Sequence, residues 1–200
     1  MKSHRRSTQA LRIIGGQWRS RRLEFPDLPG LRPTPDRVRE TLFNWLAPVL
    51  PGARCLDLFA GSGALGIEAL SRGAAEVVFV ERQPLAVRAL RNNLDRLSAS
   101  NARVDPLDAL TWLRPSGTPF DIVWLDPPFG EGLLEPACAL LEQGGWLAAI
   151  AWIYLETQAD QPRPLLPAHW TFHREKTAGM VTYRLARREL SSPLQLPDLP

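Results

Sequence analysis

The chain has 200 residues, 44% hydrophobic and 22% charged, which suits one folded core and excludes a disordered or fibrous protein. Its net charge of +3 hides an asymmetry: residues 1–40 hold 10 Lys and Arg against 4 Asp and Glu, whereas residues 41–200 hold 14 against 17. A basic end on a mildly acidic body points to a polyanionic partner, most simply nucleic acid, with a solvated tail as the plainer reading of residues 1–10.

The pattern predicts a small β-hairpin appendage over residues 11–33, with an extended stretch at 11–14, a turn at Gly15 and Gly16, and a returning strand over 17–25. A helix follows from Thr34, with Thr34 as its cap, Pro35 as its first residue, and Val38, Leu42, Trp45 and Leu46 on one face. Strand and helix then alternate: strands at 54–59, 76–81, 103–106, 120–125 and 146–155, helices at 63–72, 84–97, 109–113 and 133–142. Residues 170–176 and 181–187 read as a closing hairpin around Gly179. Repeated βα units with right-handed crossovers predict a Rossmann-like α/β fold, a sheet with helices on both faces made mixed by the last hairpin. Residues 34–190 form the main domain, and the Pro-rich residues 191–200 lack the composition for a core.

The run at 146–155 is far short of the roughly 20 residues needed to cross a membrane, and no apolar core follows the N-terminal charges to make a secretory signal. Cys55 and Cys138 stand apart and form no CxxC, as free thiols of a reducing compartment do, so a cytoplasmic location is expected. His169 and His173 fall in a strand and have no cysteine pair beside them, so no metal is expected.

Residues 55–66 (CLDLFAGSGALG) place Gly61, Gly63 and Gly66 in G-x-G-x-x-G spacing between a strand and a helix, where a backbone can approach a ligand closely. The motif alone also fits a dinucleotide site. Three acids narrow it. Asp57, before the loop, would repel a pyrophosphate but suits the ammonium of an amino-acid moiety. Glu81 ends the next strand, where a carboxylate can accept ribose hydroxyls. Asp108 follows the third, placed for an adenine amino group, with Ala109 leaving room for the ring. S-adenosyl-L-methionine (SAM) has all these groups and no phosphate, so Asp57, Phe59, Ala60, Gly61, Ser62, Gly63, Glu81, Arg82, Asp108 and Ala109 are the candidate cofactor residues.

Residues 120–129 (FDIVWLDPPF) carry the sharpest signal. The strand ends at Asp126, and Pro127 and Pro128 hold the chain extended. An exocyclic base amine is a poor nucleophile because its lone pair is conjugated with the ring. The Asp126 side chain and the Pro127 carbonyl can accept both amino hydrogens, freeing the lone pair as the nitrogen pyramidalises. Phe129 can stack on the base. Asp126, Pro127, Pro128 and Phe129 are therefore the candidate catalytic residues of an amino-group methyltransferase.

With these motifs in hand, residues 11–187 resemble the RsmD family, the 16S ribosomal RNA (guanine(966)-N(2))-methyltransferases. The stretches that carry the resemblance are RIIGGQWRSRRL, GLRPTPDRVRETLFNWL, CLDLFAGSGALGIEALSRGA, VWLDPPF and FHREKTAGMVTYRLARRE. The resemblance implies a seven-stranded SAM-dependent methyltransferase domain beside an N-terminal β-hairpin, and guanine N2 of 16S rRNA as the target, in the small ribosomal subunit or an assembly intermediate. It matches Asp57 through Gly63, Glu81 and Asp108 to cofactor positions and Asp126 through Phe129 to the catalytic motif. A monomer is the default expectation.

Arg12, Arg19, Arg21, Arg22, Arg32, Thr34 and Lys176 are the candidate RNA contacts, since guanidinium groups match phosphate oxygens in pairs. Three rival readings stay open at this point. A DNA adenine-N6 methyltransferase would share the pocket chemistry but needs a target-recognition domain. An NAD-dependent dehydrogenase would leave Asp-Pro-Pro-Phe unexplained. A non-catalytic RNA-binding protein would bind RNA without SAM.

Overall fold

The computed structural model describes residues 8–28 and 34–190; the expectations for residues 1–7, for Arg32 and for residues 191–200 lie outside these. β1 (Thr8–Arg12) and β2 (Arg22–Pro26) pair antiparallel as a separate two-stranded sheet, from Thr8 opposite Pro26 to Arg12 opposite Arg22. The strands lie further apart in sequence than the Gly15–Gly16 turn predicts. Residues 13–21 form a longer loop, closed at its base by the Ile13 N–H to the Arg21 carbonyl and the Ser20 N–H to the Ile13 carbonyl, and held elsewhere beyond it: the N–H groups of Ile14 and Gly15 both donate to the Glu68 carboxylate at 2.8 Å, and that of Gln17 to the Ser71 carbonyl at 2.8 Å. Donors used in this way are lost to a hairpin ladder.

α1 (Asp36–Leu46) begins after Pro35 and has no side-chain cap. Thr34, expected to cap it, does not: its carbonyl accepts from Arg39 Nε at 3.2 Å, and its hydroxyl lowers the pKa of the Asp126 carboxyl across the cavity. Val38, Leu42 and Leu46 are buried as the period predicts, whereas Trp45 is only half-buried. Arg39 and Phe43 join the buried face.

The remaining elements run β3 (Arg54–Asp57), α2 (Ala64–Ser71), β4 (Glu76–Val80), α3 (Pro84–Leu97), β5 (Ala102–Asp105), α4 (Ala109–Trp112) and β6 (Phe120–Leu125). They continue through α5 (Leu134–Gln143), β7 (Leu147–Gln158), β8 (Trp170–Ala178) and β9 (Val181–Glu189). The expected seven-stranded mixed sheet is present, in the order β5-β4-β3-β6-β7-β9-β8. Strands β3 to β7 are parallel; β9 runs antiparallel to β7 and β8. Period-two alternation sends Cys55, Val77 and Phe79 into the core shared with α1, α2 and α3, and Leu56, Val78 and Val80 into the core shared with α4 and α5. Helices therefore cover both faces.

The strand order places the ligand site. From β3 the chain moves outward through β4 to β5, then returns to the other side of β3 as β6. At such a reversal the loops leaving the two central strands diverge, and a cleft opens at their carboxyl ends. β7 extends to Gln158, past the apolar run that ends at Leu155, because β9 pairs with it as far as Gln158 opposite Val181.

Glu68, on α2, ties the appendage down. Its fully buried carboxylate accepts from Ile14, Gly15 and Arg72, the last at 2.7 Å, and pairs with the buried Arg39 at 3.5 Å. Arg39 also donates to the Arg12 carbonyl and to Asp36. Removing one member of a buried charged set of this kind costs about 3–5 kcal/mol.

Candidate active site

A cavity of about 780 Å³ opens at the reversal point between β3 and β6. This is large enough for a nucleoside-sized ligand and a second ring beside it. It has two halves.

The first half is built from the loops after β3, β4 and β5. Asp57 ends β3, is buried, and accepts the Gly66 N–H of α2 at 3.0 Å through Oδ2. Burial raises its pKa to about 7, the Gly66 bond lowers it, and the nearby Glu81 charge raises it. Glu81 accepts the Gly61 N–H at 2.8 Å with one oxygen and the Gln83 N–H at 2.7 Å with the other, so it holds the glycine loop against the end of β4. Asp108 caps α4, accepting the Thr111 N–H at 3.0 Å. Arg82 lies 3.2 Å from Glu131 and 4.0 Å from Asp108, spanning the rim.

Of the predicted cofactor residues, Asp57, Phe59, Ala60, Gly61, Ser62, Glu81, Arg82, Asp108 and Ala109 line the cavity. Gly63 does not. It lies behind the loop with φ of 79°, and a Cβ there would come within 2.4 Å of Leu90 Cδ1. Gly66 likewise has no room, since a Cβ would meet the Phe79 ring at 2.2 Å. The second and third glycines are therefore packing residues that let α2 and α3 settle against the sheet.

A nucleoside bearing an amino-acid arm suits this set of donors and acceptors. A buried carboxylate held at a raised pKa can gain an ammonium partner, and the half-buried Glu81 and Asp108 retain free lone pairs for hydroxyl and amino groups. The set presents no cation to a pyrophosphate except Arg82, which is already paired.

The second half is formed by the end of β6, the far end of β7, the β8–β9 turn and the start of α1. Asp126, Pro127, Pro128 and Phe129 all line it, with Phe129 42% exposed at the mouth. Asp126 follows Leu125, and Leu125 pairs with Leu155 of β7, so Glu156 stands one strand across from Asp126. Glu156 is 6% exposed and accepts the Tyr154 hydroxyl at 2.7 Å through Oε2. Burial, then the Glu156 charge, then the Asp57 charge hold the Asp126 carboxyl well above its ordinary pKa, and the Thr34 hydroxyl pulls the other way. Burial also raises Glu156.

Sequence reasoning missed Glu156, Gln158 and Met180 of this half. The signal was present: Tyr154 and Glu156 are two apart and share a strand face, but the predicted strand stopped at Leu155. Of the predicted RNA contacts, Thr34 lines the cavity, as Asp126 does. Arg12, Arg19, Arg21, Arg22 and Lys176 are exposed and lie outside it. Arg21 and Arg22 line a smaller cavity of about 180 Å³ with Asn93 and Arg96, near the far end of α3.

The reversed strand order, the glycine loop with its acids, and Asp-Pro-Pro-Phe in the same cleft define a methyltransferase of the Rossmann-like, SAM-dependent class. Comparison with known proteins agrees. The family model described as "Conserved hypothetical protein 95" matches residues 11–187. The chain is 58% identical over 179 residues to ribosomal RNA small subunit methyltransferase D of Escherichia coli, covering 90% of each chain. It is 48% identical to the protein of that name from Haemophilus influenzae, covering 88% of this chain and 92% of the relative. A solved structure described as a putative methyltransferase from Escherichia coli superposes with a TM-score of 0.86 at 54% identity, covering 90% of this chain and 99% of that one. A putative methylase from Haemophilus influenzae superposes at 0.79 with 45% identity, covering 91% and 100%. The chain belongs to this family, the RsmD family of methyltransferases.

Proposed function

We propose that this enzyme transfers a methyl group from SAM to N2 of a guanine in 16S rRNA, at the position that gives the family its guanine-966 name, within the small ribosomal subunit or an assembly intermediate. The observation that carries the reading is the placement of Asp126, Pro127, Pro128 and Phe129 in one cavity with the glycine loop and Asp57. When bound, SAM supplies an electrophilic methyl group on a sulfonium. Asp57 is assigned to its ammonium, Glu81 to its ribose, Asp108 and Ala109 to its adenine, and Phe59 through Ser62 to its close backbone contacts, with Arg82 closing the rim.

The residues of the second half do the work on the base. Phe129 stacks on the ring. Asp126 and the Pro127 carbonyl accept the two amino hydrogens, and the prolines fix both acceptors beforehand, so little reorganisation is needed as the nitrogen becomes tetrahedral. The amine that gains a carbon must lose a proton. Asp126, whose pKa burial and Glu156 hold up, is placed to take it. Residues 34–190 act as the catalytic domain, the hairpin as its appendage. The reading takes the chain as a cytoplasmic monomer. Among the described residues no helix is long and apolar enough to cross a membrane.

The test is transfer from labelled SAM to small-subunit RNA or particles lacking the modification, followed by nucleoside analysis. N2-methylguanosine is the expected product. N6-methyladenosine, or no transfer to either substrate, would overturn the reading.

A further inference from the structure

Guanine differs from adenine and cytosine beside the amino group. All three carry an exocyclic amine, but in guanine the adjoining ring nitrogen bears a hydrogen, whereas in the other two it bears a lone pair. Guanine N2 and N1 together present a fan of three N–H donors. Asp126 and the Pro127 carbonyl account for two. The proposed function assigns nothing to the third.

Glu156 occupies the neighbouring position. It lies one strand across from Asp126 and lines the same half of the cavity. It is more than nine-tenths buried, so its contacts are few and fixed. The Tyr154 hydroxyl holds Oε2 at 2.7 Å, and among the described residues Oε1 takes no hydrogen bond. That oxygen is no orphan sealed in the core, since the one buried side-chain polar atom lacking a partner among the described residues is Trp124 Nε1. It opens into the cavity instead.

We infer that Glu156 is the specificity-determining residue for guanine, its Oε1 accepting the N1–H of the target base while Asp126 and Pro127 hold the amino group. The inference rests on the guanine-N2 reading above. Adenine or cytosine in the same pose would turn a ring lone pair toward a carboxylate oxygen, which costs both the missing bond and a repulsion in a dry site. The raised pKa values of Glu156 and Asp126 fit this use, because burial raises both and the Glu156 charge raises Asp126 further, which favours a proton, and the three guanine N–H groups supply donors in its place.

The experiment uses 2-aminopurine, which keeps the 2-amino group but has a lone pair at N1. Small-subunit RNA is prepared with guanine or 2-aminopurine at the target position, and both are methylated by the intact enzyme and by Glu156→Gln. The variant keeps the shape of the side chain. The Tyr154 hydroxyl favours the amide oxygen at the Oε2 position, which turns the NH2 toward the base. The expected result is a guanine preference of about 100-fold for the intact enzyme. In Glu156→Gln, turnover of guanine falls at least tenfold and the preference collapses to within a few-fold of unity. SAM affinity, read by calorimetry, stays within twofold and shows that the variant is folded. An unchanged preference in a variant that still binds SAM overturns the inference. Failure of the intact enzyme to make N2-methylguanosine at all would instead remove the reading beneath it.

Discussion

The two halves of the cavity are both acidic but are built by different means. In the SAM half, each carboxylate is held by backbone N–H groups: Asp57 by Gly66, Glu81 by Gly61 and Gln83, Asp108 by Thr111. In the base half, Asp126, Thr34, Glu156 and Tyr154 come from the end of β6, the entry to α1 and the far end of β7; the Tyr154 hydroxyl bonds Glu156, and the Glu156 charge and the Thr34 hydroxyl both act on Asp126. A half fixed by backbone N–H groups is preformed whatever happens across the cleft. A half assembled from distant segments depends on the whole sheet, and its charges are coupled.

If that division is real, a change in one half should leave the other nearly intact. The largest effect is expected for Asp126→Ala. Removing a positioned acceptor from a pre-organised site lowers kcat by about 10³-fold, while the SAM dissociation constant changes less than threefold. Single-turnover methylation and calorimetry check the two numbers separately. Comparable turnover in the variant would end the role assigned to Asp126.

Asp57→Asn tests the other half and has a pH signature. An acid whose folded pKa is about 7 instead of 3.8 keeps its proton in the folded state longer than in the unfolded chain. The folded state therefore binds more protons between about pH 4 and 7, and Asp57 lowers stability progressively as pH rises through that window. The full penalty above pH 7 is at most about 4 kcal/mol. Asparagine can still accept from Gly66 and cannot ionise, so the variant is expected to be the more stable protein at neutral pH and indistinguishable near pH 4. Urea unfolding at both values measures this. Its SAM affinity should fall about 10- to 100-fold. The intact enzyme's affinity should rise with pH through about 7, until the ligand's own amino group loses its proton near 8, and the variant should lack that rise. A flat profile in the intact enzyme would unseat the ammonium assignment.

The same division explains what could be read in advance. The SAM half follows from strand-loop-helix punctuation, and its motif residues fall within a few positions of one another in three successive units. α3 and β6 have the bounds that their periodicity predicts, because Pro84 and the proline pair after Asp126 punctuate them. Glu156 was illegible because apolarity, the signal for β7, ends at Leu155, while the strand continues through polar residues that only the pairing with β9 supports. Thr34 looks like a helix cap by type and position, yet it caps nothing and lines the cavity with a carboxyl 92 residues away. The hairpin loop was misplaced because Glu68, an ordinary helix residue by pattern, turns out to hold Ile14 and Gly15.

A smaller effect is expected from Glu81→Ala. The ribose contacts assigned to Glu81 contribute about tenfold to SAM affinity, and the variant also frees the N–H groups of Gly61 and Gln83. Calorimetry reads the affinity. Hydrogen exchange at Gly61 should speed up in the absence of ligand, because the loop loses the acceptor that held it. Unchanged SAM affinity with faster exchange would keep Glu81 as a loop fastener and remove it from the ribose.

The smallest effect should come from the exposed arginines, which belong to neither half. Arg21 and Arg22 sit beside Arg96, and Gln83 at the opposite end of α3 lines the main cavity. Thirteen residues of helix separate the two ends by about 20 Å. At that distance these side chains cannot choose a base or shape the SAM site, and the role proposed for them is to hold the sugar-phosphate chain of a folded RNA several nucleotides from the target. Reversing charge at Arg19, Arg21 and Arg22 together should raise KM for the RNA several-fold at low salt. The difference should shrink as salt rises, because the lost interaction is with phosphate. The kcat at saturating RNA and the SAM affinity should not move. Equal KM values at low salt would place the RNA on another face, and a fall in kcat would mean that the hairpin, through Glu68 and α2, supports the glycine loop more directly than its distance suggests.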